Sequence, residues 1–155
     1  MEIELIKATE NDAVQICEMQ KIAFSELLNR YKDFETNPAN EPLDKVTARL
    51  RQPFTYFYLI KSDGEVVGAI RVVDKKSKEE AKRISPLFIL PEHRNKGYAQ
   101  EAILQVEKNH GSDGWELATI LQEAGNCHLY EKTGYSKTGE TVKINSLMTL
   151  ITYKK

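Results

Sequence analysis

Apolar positions along this chain recur every second residue in some stretches and every third or fourth in others, and the changes of period mark out strands and helices. Glu2 to Lys7 alternates, with Ile3 and Leu5 on one face, which predicts an opening strand. After Thr9 and Asn11, either able to cap a helix, Val14, Ile16, Met19, Ile22, Ala23, Leu27 and Leu28 fall at helical spacing over one long or broken helix. Asn37-Pro38-Ala39-Asn40 interrupts it, and Leu43, Val46 and Leu50 mark a shorter helix ending before Pro53. Tyr56 to Ile60 and Glu65 to Val73, joined by Ser62-Asp63-Gly64, read as a hairpin. Asp74 to Lys82 is charged and reads as a solvated connection before a further strand, Ile84 to Leu90.

Beyond Gly97, Ala99, Ala102, Ile103 and Val106 form one helical stripe that Gly111 is placed to terminate. Trp115 to Leu121 is then a strand, Ala124 to Lys132 a short helix closed by Gly134, and Tyr135 to Thr141 and Ser146 to Tyr153 two last strands. The expected architecture is one α+β domain over residues 1–155, with a mixed, mostly antiparallel sheet of about seven strands and helices on both faces.

Composition narrows the classes of function. With 155 residues, 41% hydrophobic and 29% charged, the chain matches ordinary globular proteins. No apolar run approaches the ~20 residues that cross a bilayer, and Met1-Glu2-Ile3-Glu4-Leu5 has no signal-peptide pattern, so a cytoplasmic protein without a membrane partner is expected. A net charge of −1 supplies no field to gather phosphate backbones, which argues against nucleic acid. Cys17 and Cys127 cannot build a disulfide framework, and no Cys or His pair has zinc-finger spacing, so no metal is expected.

The chemistry concentrates between Leu87 and Ala99. Leu87-Phe88-Ile89-Leu90-Pro91 is an apolar strand running into a turn, followed by a polar loop, His93-Arg94-Asn95-Lys96, and a helix start at Gly97. Such a passage aims unpaired backbone N–H groups and the positive end of a helix dipole at one point, which suits a pyrophosphate. Gly97 admits close approach, Ala99 leaves room, and Arg94 and Lys96 are able to add charge. An ordinary strand-to-helix turn has the same outline. Neither the dinucleotide fingerprint nor the P-loop pattern occurs.

Arg94-Asn95-Lys96-Gly97-Tyr98-Ala99 resembles the Q/R-x-x-G-x-G/A signature of the GNAT N-acetyltransferases, and Leu129-Tyr130-Glu131-Lys132-Thr133-Gly134-Tyr135 resembles the L-Y-E-K-x-G-F/Y run downstream in that family. The resemblance implies a transferase that uses acetyl-CoA as cosubstrate and carries its acetyl group to a primary amine of a small-molecule or peptide acceptor, by direct attack without an acetyl-enzyme. It implies a coenzyme A site built from Leu87, Phe88, Ile89, Arg94, Asn95, Lys96, Gly97, Tyr98, Ala99, Gln100 and Asn126, in a cleft where the strands near Ile84 to Leu90 and Trp115 to Leu121 splay apart. The backbone of Leu87 and Ile89 would hold the acetyl and pantetheine groups, and the Leu87 N–H would polarise the thioester carbonyl.

By the same resemblance Tyr130 is the general acid for the departing thiolate; a tyrosine packed in the core is the alternative. Glu123 stands where the family has an asparagine, and Asn126 is placed to replace it. Arg83 stands where some relatives carry a basic glutamate, which leaves the general base unassigned among Glu123, His93 and His128. Cys127, a small buried or half-buried thiol by default, lies near enough to admit a covalent route. The acceptor would sit against the first two helices and the loops around Glu35 to Asn40 and Thr138 to Asn145. Dimers are frequent in the family, so a homodimer is admitted. Two other readings fit the pattern: an acyl-CoA-binding or sensing module of the same fold, and a partner-binding α+β domain.

Overall fold

Thr9 opens the first helix through an intermediate turn. In the computed structural model, which describes residues 2–155, the Thr9 hydroxyl accepts from the Asn11 N–H at 3.3 Å and the Asp12 carboxylate accepts from the Thr9 N–H at 2.8 Å. This capping box precedes a 3-10 turn at Glu10–Asp12. The elements are β1 (Glu4–Lys7), α1 (Ala13–Tyr31), α2 (Leu43–Arg51), β2 (Thr55–Ser62), β3 (Glu65–Val73), β4 (Lys82–Ile89), α3 (Tyr98–His110), β5 (Trp115–Ile120), α4 (Ala124–Lys132), β6 (Ser136–Lys143) and β7 (Thr149–Lys154). Thus α1 is unbroken, and α3 and α4 fall where their stripes and closing glycines put them.

The seven strands form one sheet in the order β1-β2-β3-β4-β5-β7-β6. Every adjacent pair is antiparallel except β4 with β5, which the α3 crossover makes parallel. The β2–β3 hairpin turns through Asp63 and Gly64, both at positive φ (51° and 79°), the handedness that matches strand twist. One face of the sheet, through Ile60, Ile70, Val72, Trp115 and Tyr153, packs on Ala102, Ile103 and Val106 of α3 and Cys127 and Tyr130 of α4. The other, through Phe57, Leu59, Ala69 and Phe88, packs on Ile16, Met19 and Ala23 of α1 and Val46 of α2. The mixed, mostly antiparallel sheet with helices on both faces is therefore as expected.

Two features position the site. Gly68 faces the β4 backbone so closely that a Cβ there would lie 2.1 Å from the Phe88 carbonyl oxygen, which makes glycine a requirement of strand approach. Just beyond, the β3–β4 register passes from Ile70↔Leu87 to Val72↔Ile84, so Arg71 alone opposes both Ser85 and Pro86. This is a β-bulge on β4.

Some expectations fail for physical reasons. Val14 and Ile22 share the apolar spacing of α1 but are exposed, because the sheet takes only the stripe through Ile16, Met19 and Ala23. Asp74 is buried and does not belong to the solvated 74–82 connection. The His110 Nδ1 donates to its carboxylate at 2.8 Å, the Lys76 N–H donates at 2.9 Å, and the Tyr58 hydroxyl meets the far side of the imidazole at 2.8 Å. Burial alone would raise the Asp74 pKa, but the hydrogen bonds from His110 and Lys76 and the charges of His110 and Lys82 hold it below the usual carboxylate value.

Candidate functional site

After Lys82↔Trp115 and Arg83↔Glu116, β4 and β5 pair no further. The wedge between them opens into a cavity of ≈ 930 Å³ walled by β4, β5, the start of α3, α4 and one face of α1. The Leu90 N–H bonds to the Val67 carbonyl of β3 at 2.8 Å. By strict alternation Phe88 shares that side, and Leu87 and Ile89 turn their backbone groups to the open wedge. There the Ile89 carbonyl already accepts from Arg94 Nε at 3.0 Å, which leaves the Leu87 N–H and C=O and the Ile89 N–H without a strand partner.

The floor of the wedge is the loop into α3. Asn95 and Gly97 both have positive φ (63° and 86°), and Gly97 is an N-cap with no side chain bonded to the helix start. The first-turn N–H groups of α3 are therefore uncapped at the cavity wall, next to Tyr98, Ala99 and Gln100. This is a fit for a diphosphate: donors converge, the dipole is favourable, and no cap occupies the place. Arg94 contributes as scaffold, since its Nη2 donates to the Ala23 carbonyl at 2.8 Å and so ties the loop to α1. Lys96 is exposed and does not line the cavity.

Across the wedge, Tyr130 of α4 is 9% exposed. Its ring stands edge-on to Tyr135 at 6.0 Å and tilted to Tyr153 at 6.1 Å, while its hydroxyl has no hydrogen-bond partner among the described residues and the side chain lines the cavity. Burial, and to a lesser degree Cys127, push its pKa up to about 12, so the phenol keeps its proton at neutral pH. Asn126 lines the same wall one turn earlier. Cys127 is packed in the core and is absent from the cavity wall, its Sγ 3.8 Å from the carbonyl oxygens of Ile120 and Leu121.

Of the twelve site residues named from sequence, all but Lys96 line this one cavity. Of the first two helices, against which the acceptor was expected, α1 lines the cavity and α2 does not, and sequence reasoning missed how α1 is tied to α4. Glu123 accepts from Arg30 Nη1 at 2.7 Å and from the Tyr31 hydroxyl at 2.5 Å, and so fastens the end of α1 to the start of α4 across the cleft. Arg30 also reaches Glu26 at 3.0 Å. Thr36, Asn37 and Pro38 of the 35–40 loop line the wall, together with Asp33 before it, whereas nothing between 138 and 145 does, and Met148 and Leu150 take that place. No spacing in the sequence announces contacts between residues 30 and 123. Among the described residues no His, Cys, Asp and Glu cluster is able to hold a metal, and no helix is long and apolar enough to cross a membrane.

The model of the acetyltransferase (GNAT) family matches residues 15–135. The chain belongs to that family. No curated protein matches the chain significantly. Among solved structures, this GNAT chain is similar to spermidine N-acetyltransferase from Vibrio cholerae in complex with CoA and spermine, at 16% identity and a TM-score of 0.76 over 97% of this chain and 93% of that one. It is similar also to PaiA N-acetyltransferase from Thermoplasma acidophilum in complex with coenzyme A, at 15% identity and a TM-score of 0.68 over 100% of both chains. A third likeness is to aminoglycoside acetyltransferase AAC(6')-Ib with coenzyme A, at 16% identity and a TM-score of 0.71 over 99% of this chain and 94% of that one. At such identities the likeness is one of fold.

Proposed function

We propose that this GNAT chain is an N-acetyltransferase that moves the acetyl group of acetyl-CoA to a primary amine by direct attack. The observation that carries the reading is the wedge itself, where unpaired β4 backbone, the uncapped start of α3 and the free hydroxyl of Tyr130 converge on one cavity. Backbone of Leu87 and Ile89 offers an edge on which the amide-bearing pantetheine arm adds like a strand. The N–H groups from Asn95 to Gln100 take the pyrophosphate.

In the chemical step the Leu87 N–H donates to the thioester oxygen, where negative charge grows as the amine nitrogen bonds to carbon. The C–S bond then breaks, the sulfur leaves with the bonding pair, and the amine gives up one proton, so amide and free thiol balance the equation. Tyr130 meets the departing sulfur with its O–H. A phenol near 12 is a weaker acid than a thiol near ~8.5, so its first contribution is a hydrogen bond to the developing thiolate. The Cys127 thiol, held in the core, takes no part.

A panel of small and peptide amines, with thiol release followed alongside calorimetry for acetyl-CoA, tests the reading. Turnover on at least one amine supports it. Binding without turnover on any acceptor selects the acyl-CoA-sensing module, and absence of binding rejects the site.

A further inference from the structure

Arg71 is the least explained charge in the molecule. It lies on β3, is 9% exposed, and has only neutral hydrogen-bond partners: its Nη1 donates to the Ser85 carbonyl at 2.9 Å and its Nη2 to Gln52 Oε1 at 3.2 Å. Its Nε is buried with no acceptor at all. Glu41, the carboxylate whose field reaches it, is already bonded by Arg49 at 2.7 Å and by Gln20 at 3.0 Å. Burial, with Arg49 repelling it, lowers the Arg71 pKa to about 10. A guanidinium in that setting is unfavourable, and an apolar side chain of similar volume would serve packing at least as well.

What the position does have is the bulge. Arg71 is the single β3 residue opposite Ser85 and Pro86. The bulge lies where β4 has just left β5, so Ser85 has no parallel partner for its backbone, and Pro86 has no N–H with which to bond across to β3. A ladder bond is therefore missing on both sides at the residue pair immediately before Leu87. The guanidinium replaces it from the flank, pinning the Ser85 carbonyl to Gln52, the C-cap just beyond α2, whose Oε1 the Thr55 hydroxyl also holds at 2.8 Å.

We infer that Arg71 is a positioning residue for acetyl transfer: by fixing the Ser85 carbonyl it sets the pitch of the Ser85-Pro86-Leu87 backbone and so aims the Leu87 N–H at the thioester carbonyl. Arg71 touches neither substrate and acts only through the bulge. The inference rests on the proposed role of the Leu87 N–H, and its test separates the two.

The test is isotope-edited infrared spectroscopy of acetyl-CoA, carbonyl-labelled with ¹³C, bound to the wild-type chain and to Arg71→Met and Arg71→Lys, with dissociation constants from calorimetry and melting temperatures as controls. Hydrogen bonding lowers a carbonyl stretch, so the Met variant should show the bound band at higher frequency than wild type while affinity stays within ~3-fold. Turnover should fall about 10- to 100-fold in kcat, the scale of a misplaced donor, and Lys should recover part of both. An unmoved band with unchanged kcat overturns the inference, and so does an affinity loss that parallels the band shift, since Arg71 would then hold the cleft open without aiming a donor. Wild type that binds no acetyl-CoA overturns the cleft reading and this inference with it. Should Arg71→Met fail to fold, Gln52→Leu removes the other anchor of the guanidinium and is expected to shift the band the same way by a smaller amount.

Discussion

Removing the Tyr130 hydroxyl as Tyr130→Phe is the cleanest perturbation the site offers. The hydroxyl has no hydrogen-bond partner among the described residues, so its loss strands no donor or acceptor, and both ring contacts at 6.0 and 6.1 Å survive. Stability should therefore change by no more than about 0.5 kcal/mol. The effect on chemistry follows from acidity. General-acid help is typically worth ~100- to 10,000-fold, but a phenol raised to about 12 faces a thiolate whose conjugate acid is near ~8.5. Full proton transfer ahead of bond breaking is uphill by roughly 3.5 pH units, so the low end applies: about 100-fold in kcat, or roughly 2.7 kcal/mol. Steady-state thiol release with saturating acetyl-CoA measures kcat, and calorimetry measures affinity. The reasoning is refuted by a Phe variant of full activity, and equally by one whose loss lies entirely in the dissociation constant for acetyl-CoA.

Three further outcomes concern the frame around the site. Lys155→Met should destabilise the fold by about 2–4 kcal/mol in urea unfolding, because the Glu107 carboxylate is 95% buried and would lose its 2.6 Å ammonium partner while keeping only the Tyr135 hydroxyl; a change under about 0.5 kcal/mol would show that Tyr135 suffices. Gly68→Ala should push β4 away from β3, since the new Cβ meets a backbone oxygen at 2.1 Å, and should weaken acetyl-CoA binding together with a melting temperature lowered by several degrees; parent-like binding and melting would show that the strands part without cost. Because the folded pKa of Asp74 is held below its unfolded value of about 3.9, its stabilising contribution is complete above that pH and fades as pH falls through the folded value. Asp74→Asn should accordingly show a flatter loss of stability below about pH 4, and an acid limb as steep as the parent's would assign the acid sensitivity elsewhere.

Much of the frame was legible because it is written locally. The α3 stripe and Gly111, the α4 segment ending at Gly134 and the Asp63-Gly64 turn each carry their own stop signals. The loop from Arg94 to Gly97 has an outline that an ordinary strand-to-helix turn shares, and it was the resemblance to the GNAT signature that named its residues as the cavity floor. What stayed hidden depends on partners far apart in the chain. Asp74 reads as one more charge in a charged run until His110 is seen beside it, Glu123 reads as one candidate base among three until Arg30 and Tyr31 close on it, and Arg71 reads as one residue of a strand until the register sets it against the bulge. The exposed Val14 and Ile22 mark the converse limit: periodicity reports a possible apolar face, and only the neighbouring sheet decides how much of it is covered.

That the wedge between β4 and β5 holds acetyl-CoA with its pyrophosphate against the start of α3 is tested most directly by calorimetry on the parent chain and on Gly97→Glu, which sets a side chain and a negative charge among the uncapped N–H groups. Gly97 has a φ of 86°, a strain for glutamate that by itself costs about 1 kcal/mol of stability, so the melting temperature is read alongside. The account predicts saturable one-to-one binding of acetyl-CoA by the parent and an affinity at least ~10-fold weaker, about 1.4 kcal/mol, in the folded variant. Equal affinity in the two proteins would contradict it.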